Sequence, residues 1–337
     1  MIVLGVESSC DECAAAVVVD GRRILSNIVA TQIEFHRPFY GVVPEIASRK
    51  HVESIVPVVE RALREAGVGL ERVEALAVTS RPGLIGSLLV GLSFVKGLSL
   101  ALGKPFVGVD HILAHLYAPH LETEIAYPYL GLLVSGGHTL IARVMDFQRI
   151  EVIGSTIDDA CGEAFDKVAK HYDLGFPGGV AIDRLARQGD PRAFSFPWPS
   201  LHKGEHPFDV SYSGLKTAVV NQLDQFWDRR YPKSPANIAA AFQKTAVDIL
   251  ADRLLKAARH TGLGTVVAGG GVAANSYLRE RLKQENDLRV IFPSLSLCTD
   301  NAAMIAGLGY RMLTAGERSS LELNAEARVS GLRRTYP

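Results

Sequence analysis

The stretch Ile2-Val3-Leu4-Gly5-Val6-Glu7-Ser8-Ser9-Cys10-Asp11-Glu12-Cys13, with the apolar runs Ala14 to Asp20 and Arg23 to Ala30 behind it, decides the fold. Ile2 to Val6, Ala14 to Asp20 and Arg23 to Ala30 have strand length and composition, and Asp20-Gly21 is a hairpin signal between the last two. After Pro44, Ile46, Val52, Val56, Val59 and Leu63 recur near the helical period and stop at Gly67, which reads as a C-cap. Ala75 to Thr79 then reads as a strand, Ile85 to Leu102 as a mostly buried helix and Phe106 to Val109 as another strand. The order is β-β-β-α-β-α-β.

The same order returns from Tyr129, and a repeat of this kind sets the architecture. Tyr129 to Val134, Leu140 to Met145 and Ile150 to Ile153 are again three successive strands. Helices are expected at Ile157 to Tyr172, Val180 to Gln188, Ser213 to Trp227 and Pro235 to Thr261. A strand at Val266 to Ala268, a helix at Ser276 to Lys283, a strand at Val290 to Phe292 and a last helix from Asn301 to Leu313 complete the chain. The expected organisation is a first lobe of residues 1–112 plus about 300–337 and a second of 113–299, with a Pro- and His-rich insertion loop near 194–210. Two copies of one α/β unit pack most naturally face to face, with ligands in the cleft between them. The first hairpin of each copy, Glu7 to Glu12 and Ser135-Gly136-Gly137-His138-Thr139, is short and polar, as a loop that offers backbone N–H groups to phosphate oxygens must be.

The composition fits a folded two-domain protein of 337 residues, 47% of them apolar and 21% charged. No stretch is expected to span a bilayer and no leader precedes Ile2, so a cytosolic protein is expected. Lys+Arg and Asp+Glu balance at 36 each, so net charge offers no argument for a nucleic-acid partner. Cys10 and Cys13 form a C-x-x-C, but a zinc site needs four ligands and there is no second such pair; all four cysteines read as reduced packing residues.

Three constellations carry chemistry. His111 and His115 stand four apart at the start of a helix, on one face, where both imidazoles can share a metal; with ten histidines in the chain, coincidence also stands. The residue after His111 is Ile112, so the general-base Glu of a zinc protease is missing. Gly269-Gly270-Gly271-Val272-Ala273-Ala274-Asn275 follows a strand and precedes a helix, and is either a structural turn or a nucleoside site with Asn275 as donor and acceptor. Asp300 before Asn301 reads equally as a helix N-cap, and Gly162 to Lys167 equally as a salt-bridged surface or a polar ligand face.

These segments together resemble the tRNA N6-adenosine threonylcarbamoyltransferase family, formerly described as O-sialoglycoprotein endopeptidases, over nearly the whole chain. The resemblance runs through Gly5 to Glu12, Gly41 to Arg49, Pro82-Gly83-Leu84, His111 to His115, Ser135 to Thr139, Gly162 to Lys167, Phe176 to Gly179, Ser213 to Thr217 and Thr299-Asp300-Asn301. It implies a two-lobed actin-like, sugar-kinase-like fold of duplicated ribonuclease H-like units. It implies that His111, His115 and Asp300 hold one divalent metal ion, iron or zinc. It implies that Val134, Ser135, Gly136, Gly137, His138, Asp166, Gly179, Asp183 and Asn275 line the site for threonylcarbamoyl-AMP or an adenine nucleotide, and that Asp11 and Glu12 face the cleft. The implied partners are tRNA, an inactive paralogue subunit, a small ATPase, and a threonylcarbamoyl-AMP synthase as donor supplier, with no membrane. Related readings are a carbamoyl-adenylate-dependent O-carbamoyltransferase and an actin-like ATPase scaffold. Cys13 stands where the family commonly has Thr, and Arg81 where Gly usually precedes Pro82-Gly83; both bear on details of the cleft.

Overall fold

A computed structural model describes residues 1–199 and 207–329. The chain divides into two compact units, one of Met1–Ala126 with the described residues from Pro293 onward, the other Tyr127–Phe292. In the first, β1 (Ile2–Glu7), β2 (Glu12–Val19) and β3 (Arg23–Thr31) form the expected meander, followed by α1 (Pro44–Ala66), β4 (Ala75–Arg81), α2 (Ile85–Leu102), β5 (Phe106–Asp110) and α3 (His111–Tyr117). The sheet order is β3-β2-β1-β4-β5, with the meander antiparallel and β4 and β5 parallel to β1. Gly67 ends α1 in the left-handed region at φ 62°, where glycine carries no Cβ penalty.

The second unit runs β6 (Tyr129–Val134), β7 (Thr139–Val144), β8 (Ile150–Ser155), α4 (Cys161–His171), α5 (Gly178–Ala186), α6 (Ser213–Asn221), α7 (Pro235–Thr261), β9 (Thr265–Gly269), α8 (Ser276–Lys283) and β10 (Arg289–Ile291). Its sheet, β8-β7-β6-β9-β10, repeats the order and the strand directions of the first. The duplication read from the sequence is therefore a duplication of topology. Within the stretch expected as an insertion loop, 200–206 lie outside the described residues, while Phe194 bridges Trp227 and stacks on Phe196.

The chain then returns to the first unit, which closes with α9 (Ala302–Thr314). This helix lies on the sheet against β1, β2 and β4, with every residue from Ala302 to Leu308 buried. Such an approach needs small residues on both sides. A Cβ at Gly5 of β1 would stand 2.5 Å from the Ala302 carbonyl oxygen and 2.8 Å from Ala306 Cβ, and one at Gly309 would stand 2.4 Å from Ala77 Cβ. α3 packs on α9 as well, which is why the first unit extends through Ala126.

The expectation that α2 is mostly buried is corrected: Ile85, Leu89 and Leu100 are exposed. α2 is long and apolar enough to cross a membrane by length and composition. Here it packs on β4 and α1, burying Ser87, Leu88, Gly91, Leu92 and Val95, so its apolar sequence serves a helix seated on a sheet.

Gly5→Ala is expected to lower stability by about 1–3 kcal/mol, because the helix backbone that the methyl group meets has nowhere to go; urea unfolding of the two proteins measures it. His120, in the turn after α3, provides a second check. Burial, with the charges of Arg311 and Arg22, lowers its pKa from 6.5 to about 4. The unfolded chain therefore takes up a proton that the folded one refuses, and stability falls as pH drops through that window and levels off below it. In His120→Phe, which keeps a ring to stack on Tyr117, this component of roughly 3 kcal/mol should be absent from the pH dependence of the urea midpoint.

Candidate metal centre and glycine-rich loops

In the first unit, Asp110 ends β5 and caps α3, its Oδ1 accepting from the backbone N–H groups of Ile112 at 2.9 Å and Leu113 at 3.2 Å. This cap starts the helix at His111, so that His111 and His115 stand one turn apart with ring centroids 4.5 Å from each other. At the N-terminus of α9 the cap is Asn301, whose Oδ1 accepts from Met304 N at 3.1 Å. The N-cap reading of Asp300 is thus displaced by one residue. That frees the Asp300 carboxylate, whose Oδ1 lies 3.1 Å from His115 Nε2 and 3.5 Å from His111 Nε2.

Ligand atoms of His111, His115 and Asp300 all fall within 4.8 Å of one another. Burial penalises the charges of these groups, but their mutual attraction wins for two of them. His111 is raised well above the ordinary imidazole value by Glu7 and Asp300, and Asp300 is held well below the ordinary carboxylate by His111 and His115. His115 goes the other way, lowered by burial and by the charge of His111. Two imidazole nitrogens and one carboxylate oxygen converging in this way are a donor set suited to zinc or iron(II). The residues present fit a divalent ion. His115 Nδ1 is buried with no hydrogen-bond partner among the described residues, whereas His111 Nδ1 is held by Glu7.

Of the first-hairpin acids, Glu12 accepts from Thr31 Oγ1 at 3.3 Å. Burial, then the charges of Asp11 and Asp300, push its carboxyl well above the usual range. Asp11 bonds through its backbone, its carbonyl oxygen accepting from Gln32 N. Burial also pushes the Cys10 thiol up, and takes Cys13 to about 12; both are free and protonated, as expected of packing residues.

In the second unit the remaining predicted residues form a closed circuit of contacts. Ser135 and His138 close the β6–β7 turn by a 2.8 Å bond from Ser135 N to the His138 carbonyl, with open space on the side where Gly136 and Gly137 would carry a Cβ. The first turn of α4 lies directly beneath: Gly162 N donates to the Ser135 carbonyl, and a Cβ at Gly162 would stand 2.8 Å from Gly136 Cα. One turn along α4, Asp166 Oδ1 accepts from Gly178 N at 2.7 Å, beside the open Gly179. Asp183 of α5 then accepts from Ser276 N and Oγ, at 3.2 and 2.7 Å. Next to Ser276, Asn275 caps α8 through Oδ1 and donates through Nδ2 to Gln243 Oε1 at 2.8 Å. The Gly269–Asn275 turn returns to β6, where Gly270 at φ 91° would place a Cβ 2.4 Å from the Val134 carbonyl oxygen. Lys167 is paired with Asp159 and Glu163, so this part of α4 is a salt-bridged face.

In the sequence, Glu7 and Ser9 stand out only as part of the polar first hairpin and Thr79 only as the end of a strand, with no sign of a link to His111. Glu7 is wholly buried at the end of β1, accepting from Ser9 N at 2.5 Å and Thr79 Oγ1 at 2.6 Å. Burial raises its pKa, but the charge and hydrogen bond of His111 prevail and hold it below the ordinary value.

Two β-β-β-α-β-α-β units, with a His₂–carboxylate cluster in one and glycine-rich turns in the other, define an α/β protein of the actin-like, sugar-kinase-like class. Solved structures agree on the fold. The (R)-2-hydroxyglutaryl-CoA dehydratase component A of Acidaminococcus fermentans matches 93% of this chain and 99% of its own at a TM-score of 0.56 and 14% identity. A ROK hexokinase from Thermus thermophilus matches 94% of this chain and 100% of its own at 0.51 and 17% identity. Within that class, the chain belongs to the tRNA N6-adenosine threonylcarbamoyltransferase family, whose profile matches residues 23–307. The tRNA N6-adenosine threonylcarbamoyltransferase of Treponema denticola is 63% identical over 331 residues, which cover 98% of each chain.

Proposed function

We propose that this chain transfers the threonylcarbamoyl group of threonylcarbamoyl-AMP to N6 of the adenosine next to the anticodon in tRNAs that read codons beginning with adenine. The observation that carries the reading is the convergence of His111, His115 and the uncapped Asp300, in a chain that belongs to this family throughout its length. His111, His115 and Asp300 would hold iron or zinc. When bound, such an ion supplies Lewis acidity toward a polarised acyl oxygen.

The chain's own groups have separate tasks. The Gly136–Gly137 turn, over the first turn of α4, offers backbone N–H groups and small residues to a phosphate. Asp166, Gly179, Asp183 and Asn275, with Asp166 tied to Gly178, Asp183 to Ser276 and Asn275 to Leu278, would line the site for an adenine nucleotide. In the transfer, the N6 lone pair of adenosine forms a bond to the carbamoyl carbon. The bond from that carbon to the phosphate oxygen breaks, AMP leaves with the electron pair, and one proton is lost from the amine. The groups assigned to that proton are His138, Asp11 and Glu12, which single substitutions separate. The protein is proposed to work in the cytoplasm with tRNA, an inactive paralogue subunit and a small ATPase, on donor made by a threonylcarbamoyl-AMP synthase.

The test is incubation of the purified protein, with those partners, with threonylcarbamoyl-AMP and unmodified tRNA, followed by mass spectrometry of the digested RNA. Threonylcarbamoyladenosine should form, and His111→Ala with His115→Ala should reduce its rate on the order of a hundredfold or more while removing bound metal. Parental transfer by the double variant would overturn the metal assignment. No product even with all partners present would overturn the reaction.

A further inference from the structure

Glu7 is a carboxylate with no exposed surface, placed by the last residue of β1 against the ring of His111. A buried carboxylate is costly unless each oxygen is paired. Here Oε1 accepts from Ser9 N at 2.5 Å, and Oε2 faces Thr79 Oγ1 at 2.6 Å and His111 Nδ1 at 2.9 Å. Ser9 Oγ lies 3.2 Å from the same Nδ1. A hydroxyl can donate to an imidazole nitrogen or accept from it, so Ser9 alone would leave the tautomer of His111 undecided. An ionised carboxylate only accepts, and its presence requires a proton on Nδ1. The other nitrogen, Nε2, is the one that faces Asp300 Oδ1.

We infer that Glu7 is a positioning residue for His111, fixing the tautomer and the ring orientation that present the Nε2 lone pair to a divalent ion shared with His115 and Asp300. The inference rests on the metal reading proposed above and adds to it the residue behind the ligand. His115 has no such support, its Nδ1 having no hydrogen-bond partner among the described residues, so Glu7 acts on the pair through His111 alone. Thr79, on the neighbouring strand, and the Ser9 backbone hold the carboxylate in turn. Outer partners of this kind typically change metal affinity 10–100-fold when removed.

The test uses the full chain, stripped with chelator and titrated with zinc against a chromophoric competitor, as wild type, Glu7→Gln, and His111→Ala with His115→Ala. Glu7→Gln preserves shape but can turn an N–H toward Nδ1, and should weaken zinc binding about 10–100-fold. In parallel, nitrogen-15 NMR of the zinc-loaded wild type should find His111 protonated at Nδ1 and metal-bound at Nε2. Affinity of Glu7→Gln within about threefold of wild type, or zinc on His111 Nδ1, overturns the inference while leaving the metal reading intact. If wild type binds zinc no better than the double-histidine variant, the metal reading fails and this inference falls with it. Should Glu7→Gln not fold, as judged by circular dichroism, the wild-type spectrum decides.

Discussion

The first unit depends on how closely α9 approaches β1. Helix and strand meet with no side chain between them at Gly5, where the Ala302 carbonyl and Ala306 occupy the space a Cβ would need. This contact sets the position of Asn301, the helix cap, and so of Asp300 just before it. From there Asp300 reaches His111 and His115 at the opposite end of a long sequence separation. Hydrophobic burial along α9 provides the driving force, and the glycine sets the distance. A cluster of three polar side chains from distant segments is held by apolar packing, with its charges satisfied by one another and by Glu7.

Duplication explains why the chain has two polar hairpin turns in equivalent places. Each sheet has the order 3-2-1-4-5, so in each unit the turn between the first two strands stands at the end of the central strand. Parallel strands to one side and an antiparallel meander to the other leave the backbone there free of ladder bonds. In the first unit this turn carries Ser9 and Asp11, with Glu12 opening β2; in the second it carries Gly136 and Gly137. The second turn is buttressed by Gly162 of α4 and linked through Asp166, Gly178, Asp183 and Ser276 to the Gly270 turn, which meets Val134. Each link in that circuit uses a glycine or a carboxylate, the residue types that allow close approach or accept from backbone N–H groups.

Much of this was legible in the sequence because it is local. Strand runs, the Asp20-Gly21 hairpin, the Gly67 cap and the repeat depend on patterns of a few residues, and they stand where they were expected. The four-residue spacing of His111 and His115 was also legible, although spacing could not say whether a third polar side chain joined them. Asp300 was ambiguous because Asp and Asn are both good caps, and only the backbone distinguishes Asp300 from Asn301. α4 was expected from Ile157 but starts at Cys161, since the Asp158 carboxylate bonds Ser211 Oγ and Tyr212 N and draws the preceding residues out of the helix. Glu7 reads in the sequence only as the start of the polar first hairpin, and its burial follows from β4 and α3, far away in the chain. The extent of α2's burial was not legible either, because apolar composition does not say how much of a helix a sheet covers.

Anomalous diffraction from crystals soaked in zinc tests whether His111, His115 and Asp300 hold a metal. A single strong peak is expected in the first unit, bonded to His111 Nε2, His115 Nε2 and an Asp300 oxygen at about 2.0–2.2 Å. A peak at any other set of residues, or density at these three side chains with no metal at saturating zinc, would contradict it.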